Sequence, residues 1–139
     1  MSVAVETLSR VMAPATARLH YRPESASVAR RLVRLKLADW ELPDLADDAE
    51  LIVSELVGNA VKTGCLTFMT VRIRRVTAQI VRISVRDGSR TMPVLIEAGE
   101  DEECHRGLAL VNKLTRGQWG VTPDEFGKTV HADLHVPPG

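Results

Sequence analysis

The sequence predicts a two-layer α/β sandwich in which a mixed sheet carries its helices on one face. Two stretches with helical apolar spacing come first, two alternating runs follow, and a short helix precedes the last strands. Helices that return onto a sheet in this order favour such layers. With 139 residues and 45% hydrophobic composition, the chain suits one compact domain. We therefore expect a single domain over residues 15–139, preceded by a flexible leader over residues 1–14.

The first elements are a strand over residues 15–21 and a helix that runs towards Trp40. Ser25 follows Pro23 closely and is expected to be the N-cap of this helix. Its apolar stripe is formed by residues at helical spacing, Val28, Leu32 and Leu35. The helix should therefore pack on the core through these three side chains.

The second helix has the clearest pattern in the chain. Its apolar residues recur on one face, and Gly64 is expected to end it. The stripe consists of Leu45, Ala49, Ile52, Leu56 and Ala60. This helix should be the main partner of the sheet.

Two alternating runs, over residues 67–75 and 79–86, predict antiparallel neighbours joined by a turn near Thr77. Residues 90–106 have no clean period and predict a long loop, of a length that usually has a function. A short helix over 107–114 and strands over 118–122 and 128–136 complete the prediction.

Charge and composition exclude several classes of protein. Lys plus Arg and Asp plus Glu both number 18, so no long-range field favours nucleic acid. A basic strip on the first helix is expected to be solvated rather than a nucleic-acid site; it comprises Arg30, Arg31, Arg34 and Lys36. Cys65 and Cys104 predict reduced thiols. Because neither a signal peptide nor a membrane span is present in the pattern, we expect a cytoplasmic protein without membrane contact.

Glu55 and Asn59 lie one helical turn apart, beside the apolar stripe of the second helix. A carboxylate and an amide at the edge of a buried face need compensating partners. The Mg²⁺ ion of bound ATP would satisfy them, because this cation prefers oxygen ligands. Periodicity alone leaves a second interpretation open, in which both residues lie on the solvated flank of an amphipathic helix.

Two further segments carry candidate chemistry. Asp87-Gly88-Ser89 follows a strand, and it is either a turn or a site whose carboxylate accepts a hydrogen bond from the adenine amine. Gly107 opens an apolar helix, which is either a plain helix start or a phosphate site at a helix N-terminus. The chain contains no Gly-x-x-x-x-Gly-Lys-Ser/Thr motif, so a P-loop is excluded.

The last strand places His131, Asp133 and His135 on one face. This spacing resembles a metal site. The opposite face is apolar, so the histidines are expected to face solvent instead.

Taken in order, these segments resemble the N, G1 and G2 boxes of the GHKL ATPases, and most of all the small anti-sigma-factor kinases. The resemblance runs from about residue 20 to residue 136. It rests on residues 48–62, on Val85-Arg86-Asp87-Gly88-Ser89 and on Arg106-Gly107-Leu108-Ala109-Leu110-Val111. Trp119-Gly120-Val121 and Gly127-Lys128-Thr129-Val130 also look like that branch.

The resemblance implies a fold of the Bergerat type and a role for each matching residue. Asn59 would hold Mg²⁺ and the phosphates, Glu55 would be the general base, and Lys62 would add charge. Asp87 would read adenine, and residues 90–106 would form the ATP lid. The remaining expected nucleotide-binding residues lie in the matching motifs: Gly88, Ser89, Arg106, Gly107, Leu108 and Thr129.

The implied function is that of an ATP-dependent serine/threonine protein kinase. It would phosphorylate an anti-sigma antagonist and bind a sigma factor, and a homodimer is a further expectation. Three departures from the family pattern leave catalysis open: His105 in place of a glycine, Thr63 in place of a histidine, and an acidic lid. The alternatives are a non-catalytic, nucleotide-dependent protein-binding module and an unrelated α/β domain.

Overall fold

A computed structural model describes residues 13–63, 68–88 and 102–138. The strands are β1 (Ala15–His20), β2 (Phe68–Thr77), β3 (Ile80–Asp87), β4 (Trp119–Asp124) and β5 (Gly127–His135). The α-helices are α1 (Ser25–Asp39), α2 (Ala46–Thr63) and α3 (Glu102–Leu114), and a 3-10 turn, Pro43–Leu45, precedes α2. Residues 1–12 of the expected leader, Gly64 and Cys65 lie outside the described residues.

The five strands form one sheet in the order β1-β2-β3-β5-β4. All four pairings between them are antiparallel. The α/β fold class is thereby confirmed, with one difference in detail: the described strands contain no parallel pair, where a mixed sheet was expected. The turn between β2 and β3 falls at residues 78–79, as predicted.

The core lies between one face of the sheet and the helices. The predicted stripe of α2 is buried along its whole length, from Leu45 at 7% exposure to Ala60 at 2%. Against it pack the alternate residues of the three central strands, among them Val71, Ile83 and Ala132, all fully buried. The buried face of the strands and the buried face of α2 therefore form a single interface.

The predicted face of α1 is only partly right. Leu32 is half-buried and packs against the core, as expected, but Val28 and Leu35 are 49% and 58% exposed. The fully buried residues are Ala29, Val33 and Leu37, at i, i+4, i+8 spacing, so the buried face is centred about one residue further along the helix than predicted.

Ser25 is not the N-cap of α1, because Glu24 holds that position and Ser25 is already helical. The Ser25 hydroxyl instead donates to the carbonyl of His20, at 2.7 Å. This hydrogen bond connects the end of β1 to the start of α1. It explains why a short polar side chain is buried at this position.

The basic strip on α1 is also not simply solvated. Arg34 binds Asp47 and Glu50 of α2, and Arg30 donates to the Ser54 hydroxyl at 3.0 Å. Lys36 is 8% exposed, with its ammonium 5.5 Å from the Trp40 ring centroid. Most of the strip therefore connects α1 to α2 or covers the core, although Arg34 is exposed like Arg31.

The long loop predicted over residues 90–106 ends earlier than expected. Helix α3 begins at Glu102 rather than at Gly107. Glutamate is a residue type that favours a helix N-terminus, and the sequence has two at this start. Residues 89–101 lie outside the described residues. None of the helices in the described part of the chain has the length and apolarity needed to cross a bilayer.

Candidate functional site

A buried ion pair joins the ends of two neighbouring strands. Asp87 is the last residue of β3 and pairs in register with Lys128 at the start of β5. The Lys128 ammonium donates to Asp87 Oδ1 at 3.0 Å. The side chains of Asp87 and Lys128 are only 2% and 3% exposed. Each charge offsets part of the desolvation of the other, which is what allows both to lie on the helix side of the sheet.

The backbone around this pair is closely packed. A Cβ atom at Gly127 would lie 2.1 Å from the carbonyl oxygen of Asp87, so no other residue fits there. The N–H of Gly88 donates to the Tyr21 hydroxyl at 3.0 Å. That hydroxyl in turn donates to the carbonyl of Phe68, at 3.4 Å. Tyr21 therefore fixes the backbone directly after Asp87.

Helix α2 carries the second part of the candidate site. Glu55 and Asn59 are both half-buried, on successive turns at the border of the buried face. The side-chain nitrogen of Asn59 is out of contact with solvent. Helix α2 packs against β3 and β5, so these residues and Asp87 lie on the same side of the sheet. Lys62, one turn further, is exposed.

The chemistry of this set fits a magnesium nucleotide. A half-buried amide and carboxylate on adjacent turns provide the oxygen ligands and hydrogen-bonding groups that Mg²⁺ and its waters use. A buried carboxylate at the strand end provides an acceptor for a base amine. Asn59 would hold the ion and Asp87 would contact the base.

The structure changes the expected role of Gly107. This residue lies in the second turn of α3 rather than at its N-terminus. Within a helix each N–H is bonded to the carbonyl four residues earlier, so Gly107 and Leu108 do not offer free N–H groups. The Leu108 side chain is fully buried. The side chain of Arg106 and all of Ser89 lie outside what the structure describes.

Thr129 is separated from the other candidates. Its neighbours Lys128 and Val130 point to the helix side, so Thr129 points to the opposite face of the sheet. There it lies beside Ser84 and His131 in a shallow groove. Lys128, and not Thr129, therefore lies on the face of the sheet that carries the candidate nucleotide site.

The three residues of the suspected metal pattern, His131, Asp133 and His135, differ in their contacts and exposure. The Arg82 guanidinium binds both carboxylate oxygens of Asp133, at 2.7 and 2.9 Å. His135 is exposed, as expected, but His131 is half-buried. Among the described residues, no group of three His, Cys, Asp or Glu side chains is arranged to hold a metal.

Lys128 and Tyr21 are the site residues that the sequence did not predict. Lys128 would have been found from the β3–β5 register, since Asp87 and Lys128 are cross-strand partners. That register depends on a pairing across about 40 residues, which local patterns do not specify. Tyr21 is even further from Gly88 in sequence, and no spacing rule connects them.

Comparison with known proteins identifies a family for the chain. The profile of the histidine kinase-like ATPase domain family matches residues 19–128. Among solved structures, the chain is similar to the histidine kinase domain of a blue-light activated histidine kinase from Erythrobacter litoralis, with 25% identity and a TM-score of 0.46. That match covers 68% of this chain and 46% of the other, so the chain spans under half its length. No curated protein matches the chain.

The matched segment begins just before Tyr21 and ends at Lys128, and it includes both helical and strand-end parts of the candidate site. It covers most of the 139 residues. On this evidence the chain belongs to the histidine kinase-like ATPase domain family.

Proposed function

We propose that this protein binds Mg-ATP and is a regulatory protein kinase of the anti-sigma type. The observation that carries the proposal is the buried Asp87 carboxylate at the end of β3, on the sheet face that α2 covers. Lys128 offsets part of the cost of burying this carboxylate, and one ammonium donor occupies one of the roughly four acceptor positions of a carboxylate, so a ligand amine can still be recognised there. Family membership favours a nucleotide as its ligand.

Asp87 would recognise the base together with Lys128. Adenine presents an amine donor beside a ring-nitrogen acceptor, and the pair presents an acceptor beside a donor. The carboxylate would accept from the amine while the ammonium donates to the ring nitrogen. Gly127 would allow β5 to approach closely enough for both contacts, since its Cβ position is already filled by the backbone of Asp87.

Glu55 and Asn59 would act at the phosphate end. Bound Mg²⁺ neutralises phosphate charge, and Asn59 would hold that ion. Glu55, one helical turn away, would accept the proton of an attacking hydroxyl. Phosphoryl transfer needs mainly such positioning and charge neutralisation. The expected acceptor is a serine of an antagonist protein, and a sigma factor would be the regulated partner, by resemblance to the anti-sigma branch.

A second function is favoured by two specific observations. The Asp87 carboxylate is already bound by Lys128, and Gly107 lies inside α3 rather than at its phosphate-binding start. Both suit a protein that binds nucleotide to control a protein contact but transfers no phosphoryl group. The two proposals share the pocket and differ only in the chemistry at Glu55.

Titration calorimetry with ATP and Mg²⁺, repeated with GTP, tests the shared pocket. We expect the wild type to bind ATP and Asp87→Asn to weaken that binding by at least about tenfold, because a hydrogen bond to a charged acceptor contributes about 1.5–3 kcal/mol. Asp44→Asn, an exposed carboxylate before α2, is the matched control and should bind as wild type. Unchanged binding by Asp87→Asn would remove that residue from the site.

A further inference from the structure

The face of the sheet opposite the helices carries an unusual concentration of arginine. Strand alternation places Arg18, Arg72, Arg74, Arg82 and Arg86 on it. All of them are exposed or half-buried. In the described part of the chain no helix covers this face, because all the buried apolar strand residues point the other way.

A groove of about 280 Å³ crosses the middle of this face. Its basic lining is Arg72, Arg74, Arg82 and His131, and its hydroxyl lining is Ser84, Thr122 and Thr129. We call these seven residues the basic groove. No carboxylate lines it. It lies on the opposite side of the sheet from Asp87 and Lys128, so its role is independent of nucleotide binding.

The positive charge of the basic groove is only partly compensated. Asp133 binds Arg82 through both carboxylate oxygens. Among the described residues, Arg72 and Arg74 have neither an ion pair nor a hydrogen bond from their side chains. Three guanidiniums against one carboxylate leave two positive charges.

The register between β2 and β3 makes this excess of positive charge more destabilising. Arg74 and Arg82 are direct cross-strand partners, and like charges in that position destabilise a sheet. Asp133 compensates the positive charge of Arg82 but not that of Arg74. A bound anion would relieve both, so the arrangement favours an anionic ligand over none.

The shape of the groove admits an extended chain. Gly120 lies opposite His131 on the edge strand β4, and a Cβ there would lie 3.0 Å from the His131 ring. The His131 ring therefore occupies the space that a side chain at position 120 would fill, and it forms part of the groove wall. From β2 to β4 the groove crosses three strand spacings, roughly 14 Å, which about five extended residues would span.

We propose that the basic groove docks an acidic segment of a partner protein, whose carboxylates bind Arg72 and Arg74. Planar guanidiniums match carboxylates in bidentate geometry, and the serine and threonine hydroxyls donate to the remaining oxygens. Nucleic acid fits less well. The groove has no phenylalanine, tyrosine or tryptophan for base stacking, and Phe68, further along this face, lies outside the groove lining and already contacts Arg18 and His20.

Fluorescence anisotropy with a labelled penta-glutamate peptide at low salt tests the proposal. We expect Arg72→Gln and Arg74→Gln each to weaken binding by about threefold, and the double variant by about tenfold, as for partly exposed ion pairs. Arg31→Gln, an exposed arginine on α1, is the matched control and should bind as wild type. Thermal melting checks that each variant is folded.

Several outcomes would overturn the proposal. One is the absence of peptide binding to the wild type, and another is equal binding by the wild type and the double variant. A labelled oligothymidylate that binds more tightly than the peptide, through the same arginines, would make this face a nucleic-acid site instead. Loss of peptide binding confined to the Arg72 and Arg74 variants, with weak oligothymidylate binding, supports the acidic segment.

Discussion

The Lys128 ammonium lies 3.0 Å from the Asp87 carboxylate, and both side chains are almost completely buried. The pair connects β3 to β5 where the two strands meet the candidate nucleotide site. Any ligand that approaches Asp87 from the helix side therefore meets a carboxylate that already has a cationic neighbour. We therefore expect changes to this pair to affect both the stability of the fold and the proposed recognition of the base.

We expect Lys128→Met to destabilise the fold by about 3–5 kcal/mol. Removing one partner leaves the other charge buried without its counter-ion, which is the costly way to break such a pair. The free energy of unfolding in urea measures the effect. The double variant Lys128→Met with Asp87→Asn should recover part of the loss, because no uncompensated carboxylate remains.

An exposed ion pair is the control for this experiment. Arg86 and Asp124 lie 3.0 Å apart with side chains about 40% exposed, so Arg86→Gln should leave stability nearly unchanged. If Lys128→Met were as stable as Arg86→Gln, the buried pair would contribute nothing to the fold.

Two glycine-to-alanine substitutions should act in opposite directions. Gly127→Ala would place a Cβ 2.1 Å from the Asp87 carbonyl, so β5 must move away from β3, at a cost of at least about 1–3 kcal/mol. Gly58→Ala meets no atom within 4 Å. It should stabilise α2 by up to about 1 kcal/mol, because alanine favours a helix interior. Chemical denaturation measures both, and a destabilised Gly58→Ala would contradict the open space around it.

The stability of the protein should depend on the protonation of His131. Burial lowers the pKa of this histidine, the positive charges of Arg82 and Arg74 lower it further, and Asp133 opposes the shift. Between that lowered value and the ordinary value of about 6.5, the unfolded chain binds the proton more readily. Stability therefore falls as the pH drops through this window.

His131→Asn should remove this part of the pH dependence, as measured by urea denaturation from neutral to mildly acidic pH. His135→Asn, on the same face of β5 but exposed, should keep it. In the wild type, penta-glutamate bound in the basic groove should raise the pKa of His131, which NMR titration would detect. A dependence that persists in His131→Asn would assign it to another group.

The sequence alone predicted the buried face of a helix correctly where that helix has a single strong apolar stripe. The stripe on α2 was read correctly because five apolar residues recur at helical spacing and all five are buried. On α1 two stripes have similar spacing, and the chain fully buries Ala29, Val33 and Leu37 rather than Val28 and Leu35. Packing against the rest of the fold decides between the two stripes, and a local pattern does not specify this packing.

The candidate site likewise contains some residues that a local pattern predicts and others that it does not. Glu55 and Asn59 were placed correctly at the border of the buried face by helical periodicity alone. Lys128 and Thr129 required the direction of β5, since a shift of one residue exchanges the two faces of a strand. The register with β3 turns Lys128 towards Asp87 and leaves Thr129 in the basic groove. The pairing of β5 with β3 thus determines that Lys128 lies on the helix side of the sheet and Thr129 on the opposite face.

The proposed kinase activity depends most on Glu55. This carboxylate is half-buried one helical turn before Asn59, so an ion held by Asn59 leaves Glu55 beside the phosphate end of a bound nucleotide. A positioned base contributes about 10²–10⁴-fold to rate. Glu55→Ala should therefore lower phosphotransfer to an antagonist protein by that factor while ATP still binds, and Asn59→Ala should lose both.

A phosphotransfer assay with radiolabelled ATP and candidate antagonist proteins measures this, with calorimetry on the same variants. Asp48→Ala, which removes a carboxylate two turns earlier on α2, is the matched control and should transfer as wild type. ATP binding without transfer by the wild type would favour the non-catalytic module. Equal transfer by the wild type and Glu55→Ala would rule out the general-base role, because no other change separates the two proteins.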